Sequence, residues 1–417
     1  MSRLIDTLAA RGAPPHILAA LEVLQCQNAS LDRLAVLTDP ERSRFLEWCD
    51  VRQITLLLSH LRGSKLPAWV SDQILQKAAR YELRFEHLKR DLFEIVGALN
   101  AAGLEFVMLK GLSHAPALSP DARLRAQGDI DLWLTGSSVY AARDVLTSLG
   151  YVPLVDSKSR HLAPMGRPRD WKWRGDLYDP DMPISVELHY ELWSEQAEYI
   201  AIPELERFWE RKRPRDFDGH RINVLCDEDL LGFATLHLLL HLLHGELPLQ
   251  RAWEIGRFLD KHANDDAFWK SWRSSHSAAV RKMEICIFYL VAKWFECRSL
   301  KEHEANLREL PPRAKLSVER SSLALLTREW EPNKLELWLH LALIENRKQK
   351  ARIAVRRLIP IALPSFVDRT AVRTSFAAKL RKAFRQRQLI TARLRRHLVT
   401  FFPTLFDGLR WFLVRKG

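Results

Sequence analysis

A chain of 417 residues with 47% hydrophobic content has material for two or three domains and is excluded from the disordered class. Its five cysteines, at 26, 49, 226, 286 and 297, stand far apart with no Cys-x-x-Cys pair, which suggests neither a disulfide framework nor a zinc knuckle and fits reduced thiols in a cytoplasmic protein. The net charge of +13 is uneven: residues 347–417 hold 19 Lys and Arg against two acids, whereas residues 1–346 sum to −4, so an anionic partner is implied for that tail alone.

The opening stretch MSRLIDTLAARGAPPHIL has no continuous apolar segment, and no run of about 18 apolar residues occurs anywhere, so neither secretion nor a membrane span is expected. Residues 1–100 read as a helical region. Apolar positions recur at helical spacing through 17–24, 42–61 and 69–99, with breaks at Pro14-Pro15 and across 63–67. The last of these helices, about 71–102, stops at ALNAAG and is expected to brace a sheet, since nothing in it has ligand-like spacing.

Residues 103–134, GLEFVMLKGLSHAPALSPDARLRAQGDIDLWL, read as strand, turn, short helix, loop and second strand. The first strand, 104–109, is apolar nearly throughout, as in a strand covered on both faces, and ends at Lys110-Gly111, where the chain must turn. Exposed N–H groups of such a turn can cradle a phosphate, and Lys110 can add a point charge. In the second strand the period of two throws Asp129 and Asp131 onto one face and Ile130 and Leu132 onto the other. Two carboxylates held that way repel unless a divalent cation neutralises them, and hard oxygen ligands suit Mg²⁺ or Mn²⁺.

Residues 137–149 form an amphipathic helix with Ser137 as N-cap and Gly150 as stop, returning to a strand at Tyr151-Val152. The segment 160–178, with five Arg or Lys and two Trp, reads as a hairpin, either meeting a substrate or capping the core with its tryptophans. Ile184 to Leu188 is the next apolar strand, with Glu187 on the face opposite Val186 and Leu188 and His189 at its end.

The ordered set LKG, Arg125 four residues before the first Asp, GDIDLWL, and then VELHYELW resembles the uncharacterised nucleotidyltransferase family of the polymerase-β superfamily, over about residues 91–262. The resemblance implies an α+β fold with a polymerase-β-like core, a mixed sheet flanked by helices, here spanning 101–225 between a helical 1–100 and a helical 226–346. It implies Asp129, Asp131 and Glu187 as metal ligands and catalytic residues, with Lys110, Gly111, Ser113, Arg125 and His189 on the nucleotide. The turn reads Gly111-Leu112-Ser113, where many members of the superfamily have Gly-Ser or Gly-Gly. A third carboxylate beside the aspartates would complete a two-metal site.

Residues 213–224 carry Asp218-Gly219 between alternating residues, a hairpin signal. Two helices follow, 227–244 and 249–262. Spacings of four and three place His237, His241 and His244 on one helix face, either as a metal site or, as the resemblance implies, with His237 or His241 lining the nucleotide pocket. Further helices run from 268 to 344. In the tail, opened by Pro360 and Pro364, Phe376, Leu380, Phe384, Leu389, Leu394 and Leu398 alternate with Arg and Lys before an apolar close at 401–406 and 409–414. An anionic membrane surface, RNA phosphates and packing on its own domain each fit this pattern.

The function expected is metal-dependent transfer of a nucleoside monophosphate from an NTP, with pyrophosphate released, to a protein, peptide, sugar or RNA acceptor. The rival is a non-catalytic membrane- or nucleic-acid-binding adaptor on a degenerate transferase core. Localisation is expected to be cytoplasmic, peripheral to the inner face of a membrane if the tail binds lipid.

Overall fold

The computed structural model describes residues 4–62, 65–154, 160–298, 303, 306–308, 310–359 and 376–413. Helices α1 (Leu4–Ala10), α2 (Pro15–Val23), α3 (Asp39–Val51), α4 (Thr55–Arg62) and the long α5 (Ala68–Ala101) precede β1 (Val107–Met108) and β2 (Asp129–Trp133). Then come α6 (Ser138–Ser148), β3 (Val152–Pro153), β4 (Met165–Gly166), β5 (Ser185–His189), β6 (Arg213–Phe217) and β7 (His220–Val224). The rest is helical: α7 (Asp227–Leu243), α8 (Leu249–Lys261), α9 (Asp266–Ser275), α10 (Ala278–Trp294), α11 (Pro312–Thr327), α12 (Glu336–Leu343), α13 (Arg347–Leu358) and α14 (Phe376–Leu413). The strands form one mixed seven-stranded sheet in the order β3-β4-β5-β2-β1-β7-β6, so the chain is α+β. Here β1 is antiparallel to β2 and parallel to β7, and β2 is parallel to β5.

Two layers cover the sheet. On one face α5 presents Tyr81, Phe85, Leu88, Leu92, Ile95 and Leu99, three and four residues apart, to Ile130, Leu132, Val186 and Leu188. On the other, Val107, Leu109 and Trp133 join the core of α7, α8 and α10. The amino-terminal helices belong to this second core as well. The Cys26 amide donates to the Phe295 carbonyl at 2.8 Å, and the Gln25 side-chain amide donates to the Trp294 carbonyl at 2.9 Å.

Three expectations about elements change. The first strand is regular only at Val107–Met108, although the Leu109 amide carries the ladder on to the Asp131 carbonyl at 3.0 Å. The helix after Gly111 is a single 3₁₀ turn, Gly111–His114. Segment 160–178 is not a hairpin: Met165–Gly166 pairs between β3 and β5, and upstream His161 makes an isolated antiparallel bridge to His189 on β5. Beyond it Pro168, Pro180 and Pro183 have no N–H for a ladder, and Trp171 is buried with its indole N–H on Asp179 while Trp173 is exposed. The hairpin at Asp218-Gly219 forms as read, with φ of 52° and 84° at the two turn residues. Pro360, Pro364 and Val414 lie outside the described residues.

Candidate active site

Strands β2 and β5 run parallel and in register, so Asp131 stands beside Glu187, Trp133 beside His189 and Asp129 beside Ser185. Because Ile130, Leu132, Val186 and Leu188 are committed to the α5 core, the alternate residues Asp129, Asp131, Glu187 and His189 share the opposite face. Donor atoms of Asp131, Glu187 and His189, all three buried, lie within 4.8 Å of one another. They are the one group of three or more such donors among the described residues.

Asp131 is the centre of this group. Its Oδ1 accepts from Lys110 Nζ at 2.6 Å and lies 2.9 Å from His189 Nε2, whereas its Oδ2 is buried with no hydrogen-bond partner. Burial alone would raise the Asp131 carboxyl, but the Lys110 ammonium and the His189 ring hold it well below the usual carboxylate range. Burial pushes the His189 ring down against the pull of Asp131. Glu187 Oε2 is 3.7 Å from Nε2 of both His189 and His161. His161 Nδ1 meets the Leu162 carbonyl at 2.6 Å, which directs Nε2 at the carboxylates, and burial pushes this ring down to about 4.

Asp129 is half-buried on the wall of a cavity of about 230 Å³, lined also by Lys110, Gly111, Arg125, Gln127 and Arg251. That is below the roughly 300–1,000 Å³ of a whole small-molecule pocket, so it suits the charged end of a ligand. Three cationic side chains converge on it. Arg125 donates to His114 Nδ1 at 2.9 Å and lies 3.6 Å from Glu254. Arg251 lies 3.1 Å from His237 Nδ1, has a buried Nε with no partner, and is pushed down to about 10 by burial and by Arg125. Glycine relieves strain at position 111: its φ is 75°, and a Cβ there would have to displace the Gln127 side chain.

The loop entering β2 is held from behind by α5. The Arg84 guanidinium, fully buried, donates to the Gln127 carbonyl at 2.9 and 3.1 Å and to the Met182 carbonyl. The Tyr81 hydroxyl donates to the Arg125 carbonyl and accepts from the Gln127 amide at 3.0 Å. Sequence reasoning missed Arg84, Arg251 and Gln53, which also lines the cavity. Arg84 had a signal, since it falls inside the apolar stripe Tyr81, Phe85, Leu88, where a charge needs partners. Arg251 and Gln53 had none.

Of the remaining residues expected at the site, Ser113 is buried beneath the turn and does not line the cavity. Neither do His237 and His241, which cluster on the Arg251 guanidinium instead, while His244 turns to Glu198 at 3.1 Å; the three do not converge as ligands.

The model of a family described as uncharacterised nucleotidyltransferase matches residues 38–296, further at both ends than the motifs reach. No curated protein and no solved structure matches the chain. A match over more than half of the chain, centred on the paired acids of β2 and β5, places it by descent: the chain belongs to the uncharacterised nucleotidyltransferase family.

Proposed function

We propose that the protein transfers a nucleoside monophosphate from an NTP to an acceptor hydroxyl. In that reaction an acceptor oxygen bonds to the α-phosphorus, the bond from the α-phosphorus to the bridging oxygen breaks, and pyrophosphate leaves. The observation that carries the reading is the placement of Asp131 beside Glu187, with one buried Asp131 oxygen lacking a partner, next to a cavity rimmed by Lys110, Arg125 and Arg251. An unpartnered carboxylate oxygen in a buried site costs roughly 1–3 kcal/mol or more, so its retention fits a missing cationic ligand.

Asp131 and Glu187, with Asp129 on the cavity side, would hold Mg²⁺ or Mn²⁺, and His189 adds a nitrogen donor to the oxygen set. A bound divalent cation supplies Lewis-acid stabilisation of charge on the phosphoryl oxygens. The chain's own groups do the rest. The turn at Gly111 and the three cations fix the triphosphate, which lowers the barrier mainly through orientation. Glu187, with its Oε2 near two imidazoles, takes the proton of the acceptor hydroxyl. The acceptor class stays open among protein, peptide, sugar and RNA.

The test is release of labelled pyrophosphate and NMP from the four NTPs with Mg²⁺ or Mn²⁺, using wild type and Asp131→Asn. Wild-type turnover that the variant loses supports the reading. NTP binding without turnover under any ion, unchanged by the variant, would favour the non-catalytic adaptor.

A further inference from the structure

Helix α14 uses only one of its faces on the rest of the protein. Thr400, Thr404, Gly408 and Trp411, three and four residues apart, are buried against α11 and α12. Trp411 donates to Ser317 Oγ at 2.9 Å and packs on Trp338 with ring centres 5.6 Å apart. Arg320 reaches Asp407 at 3.4 Å, Lys334 lies 2.6 Å from His397 Nδ1, and a Cβ on Gly408 would collide with the Trp338 ring. The helix is therefore docked along its last turns and is not a loose tail.

The face turned away from the protein is the apolar one. Leu398, Phe402, Leu405, Phe406 and Leu409 form a stripe at helical spacing, with Leu398 77%, Phe402 70% and Phe406 69% exposed, and Leu380, Phe384 and Leu394 continue it upstream, while Phe412 at its end packs on Trp338. Among the described residues, 13 of the 22 exposed large hydrophobic side chains lie on this one helix. Exposed apolar side chains scattered singly need no explanation, but a contiguous stripe of them marks an interaction surface. The helix also carries nine Lys and Arg against one acid, Asp407, and that acid is paired with Arg320. Arg385, Arg387, Arg395 and Arg410 are exposed, Arg385 and Arg410 beside the stripe and Arg387 and Arg395 among its residues.

We propose that α14 holds the protein on an anionic bilayer surface, lying in the headgroup plane with its apolar stripe among the acyl chains and its arginines on lipid phosphates. The charge selects this occupant. A second copy laid on the same face would bring +8 against +8, and a nucleic acid would satisfy the arginines while leaving leucines and phenylalanines in water. An anionic lipid surface meets both features at once, each basic residue contributing about 1 kcal/mol near the headgroups. No described helix is long and apolar enough to cross a membrane, and a helix of 38 residues, about 57 Å long, offers a long edge to a surface. None of the residues proposed to act on the nucleotide lies on α14, so this inference does not depend on the transferase reading.

The experiment is co-sedimentation of the full-length protein with phosphatidylcholine vesicles and with vesicles containing about one-third phosphatidylserine, at low and high salt. Wild type is compared with Phe402→Gln/Phe406→Gln/Leu409→Gln and with Arg385→Gln/Arg387→Gln/Arg395→Gln. All six positions are exposed, so circular dichroism and melting should be unchanged. The expected result is binding to the phosphatidylserine vesicles that falls at least about tenfold in the apolar variant, and that falls in the arginine variant and at high salt. Absence of pelleting, or equal pelleting of wild type and the apolar variant, overturns the proposal. So does a dimer in light scattering that the apolar variant abolishes, or tighter binding to single-stranded RNA than to vesicles.

Discussion

Lys110 places its ammonium 2.6 Å from Oδ1 of Asp131, at a position where a cation bound by Asp131 and Glu187 would compete with it. The same side chain lines the cavity proposed for the triphosphate. The carboxylate and the phosphates thus contend for one charge, and nucleotide arriving in the cavity should draw Lys110 off Asp131 and free it for the ion. Mn²⁺ should therefore bind wild type more tightly with a non-hydrolysable NTP than without it. In Lys110→Met, Mn²⁺ should bind without nucleotide at least as well as to wild type, and the NTP KM should rise about tenfold with a smaller effect on kcat. Calorimetric titration of each ligand with and without the other measures the coupling, and equal coupling in both proteins would refute the competition.

Asp131→Asn and Glu187→Gln should each lower kcat by at least about a hundredfold, since a displaced ion misplaces the reacting atoms. Asp131 should be the more severe, because it holds Lys110 and His189 as well. Steady-state kinetics at saturating NTP, with circular dichroism as the control for folding, decides it. Full activity in either variant would remove that residue from the site.

His189 tests the ion. An imidazole among carboxylates shifts preference toward Mn²⁺ relative to Mg²⁺. His189→Asn should weaken Mn²⁺ more than Mg²⁺, read by competition for bound Mn²⁺ in paramagnetic resonance. Equal losses for both ions would mean that His189 only supports Asp131 through their 2.9 Å contact.

A pH dependence of stability should come from His276, buried between acids of α7 and α10. His276 Nδ1 lies 2.9 Å from Glu284 and its Nε2 3.1 Å from Asp229. Burial opposes its charge, but the two carboxylates raise it to about 9. A raised folded-state value means a stabilisation fully present below the unfolded value near 6.5 and lost as pH climbs through about 9, worth roughly 3 kcal/mol. The melting temperature of His276→Gln should fall well below that of wild type at pH 6, and the gap should narrow at pH 9.5. A gap independent of pH would show a neutral ring.

The paired acids were legible because a strand's alternation depends on local sequence: Asp131 and Glu187 each sit between apolar residues that can face only a core, and Asp129 is two residues from Asp131 across Ile130. Lys110's partner was not legible, since nothing local to LKG says which of two nearby anions its ammonium prefers. Nor was Arg251, which reaches the cavity from α8 across a distance that no spacing encodes. Segment 160–178 was misread because its tryptophans and arginines imitate strand alternation while its prolines withhold the donors a ladder needs. In α14 the apolar positions were visible in the chain, but which face the protein keeps for itself depends on Gly408 meeting Trp338.

The in-register pairing of Asp131 with Glu187 makes the backbone a ruler. Neighbouring strands sit about 4.8 Å apart whatever their side chains, so the separation of the two backbones is set by peptide hydrogen bonds, and side-chain length and rotamer set the rest of the gap between the carboxylates. Changes in ion size or reach are then left to side-chain length, and Glu187→Asp, which withdraws one carboxylate by a single methylene without moving either strand, becomes the natural dial for retuning the site.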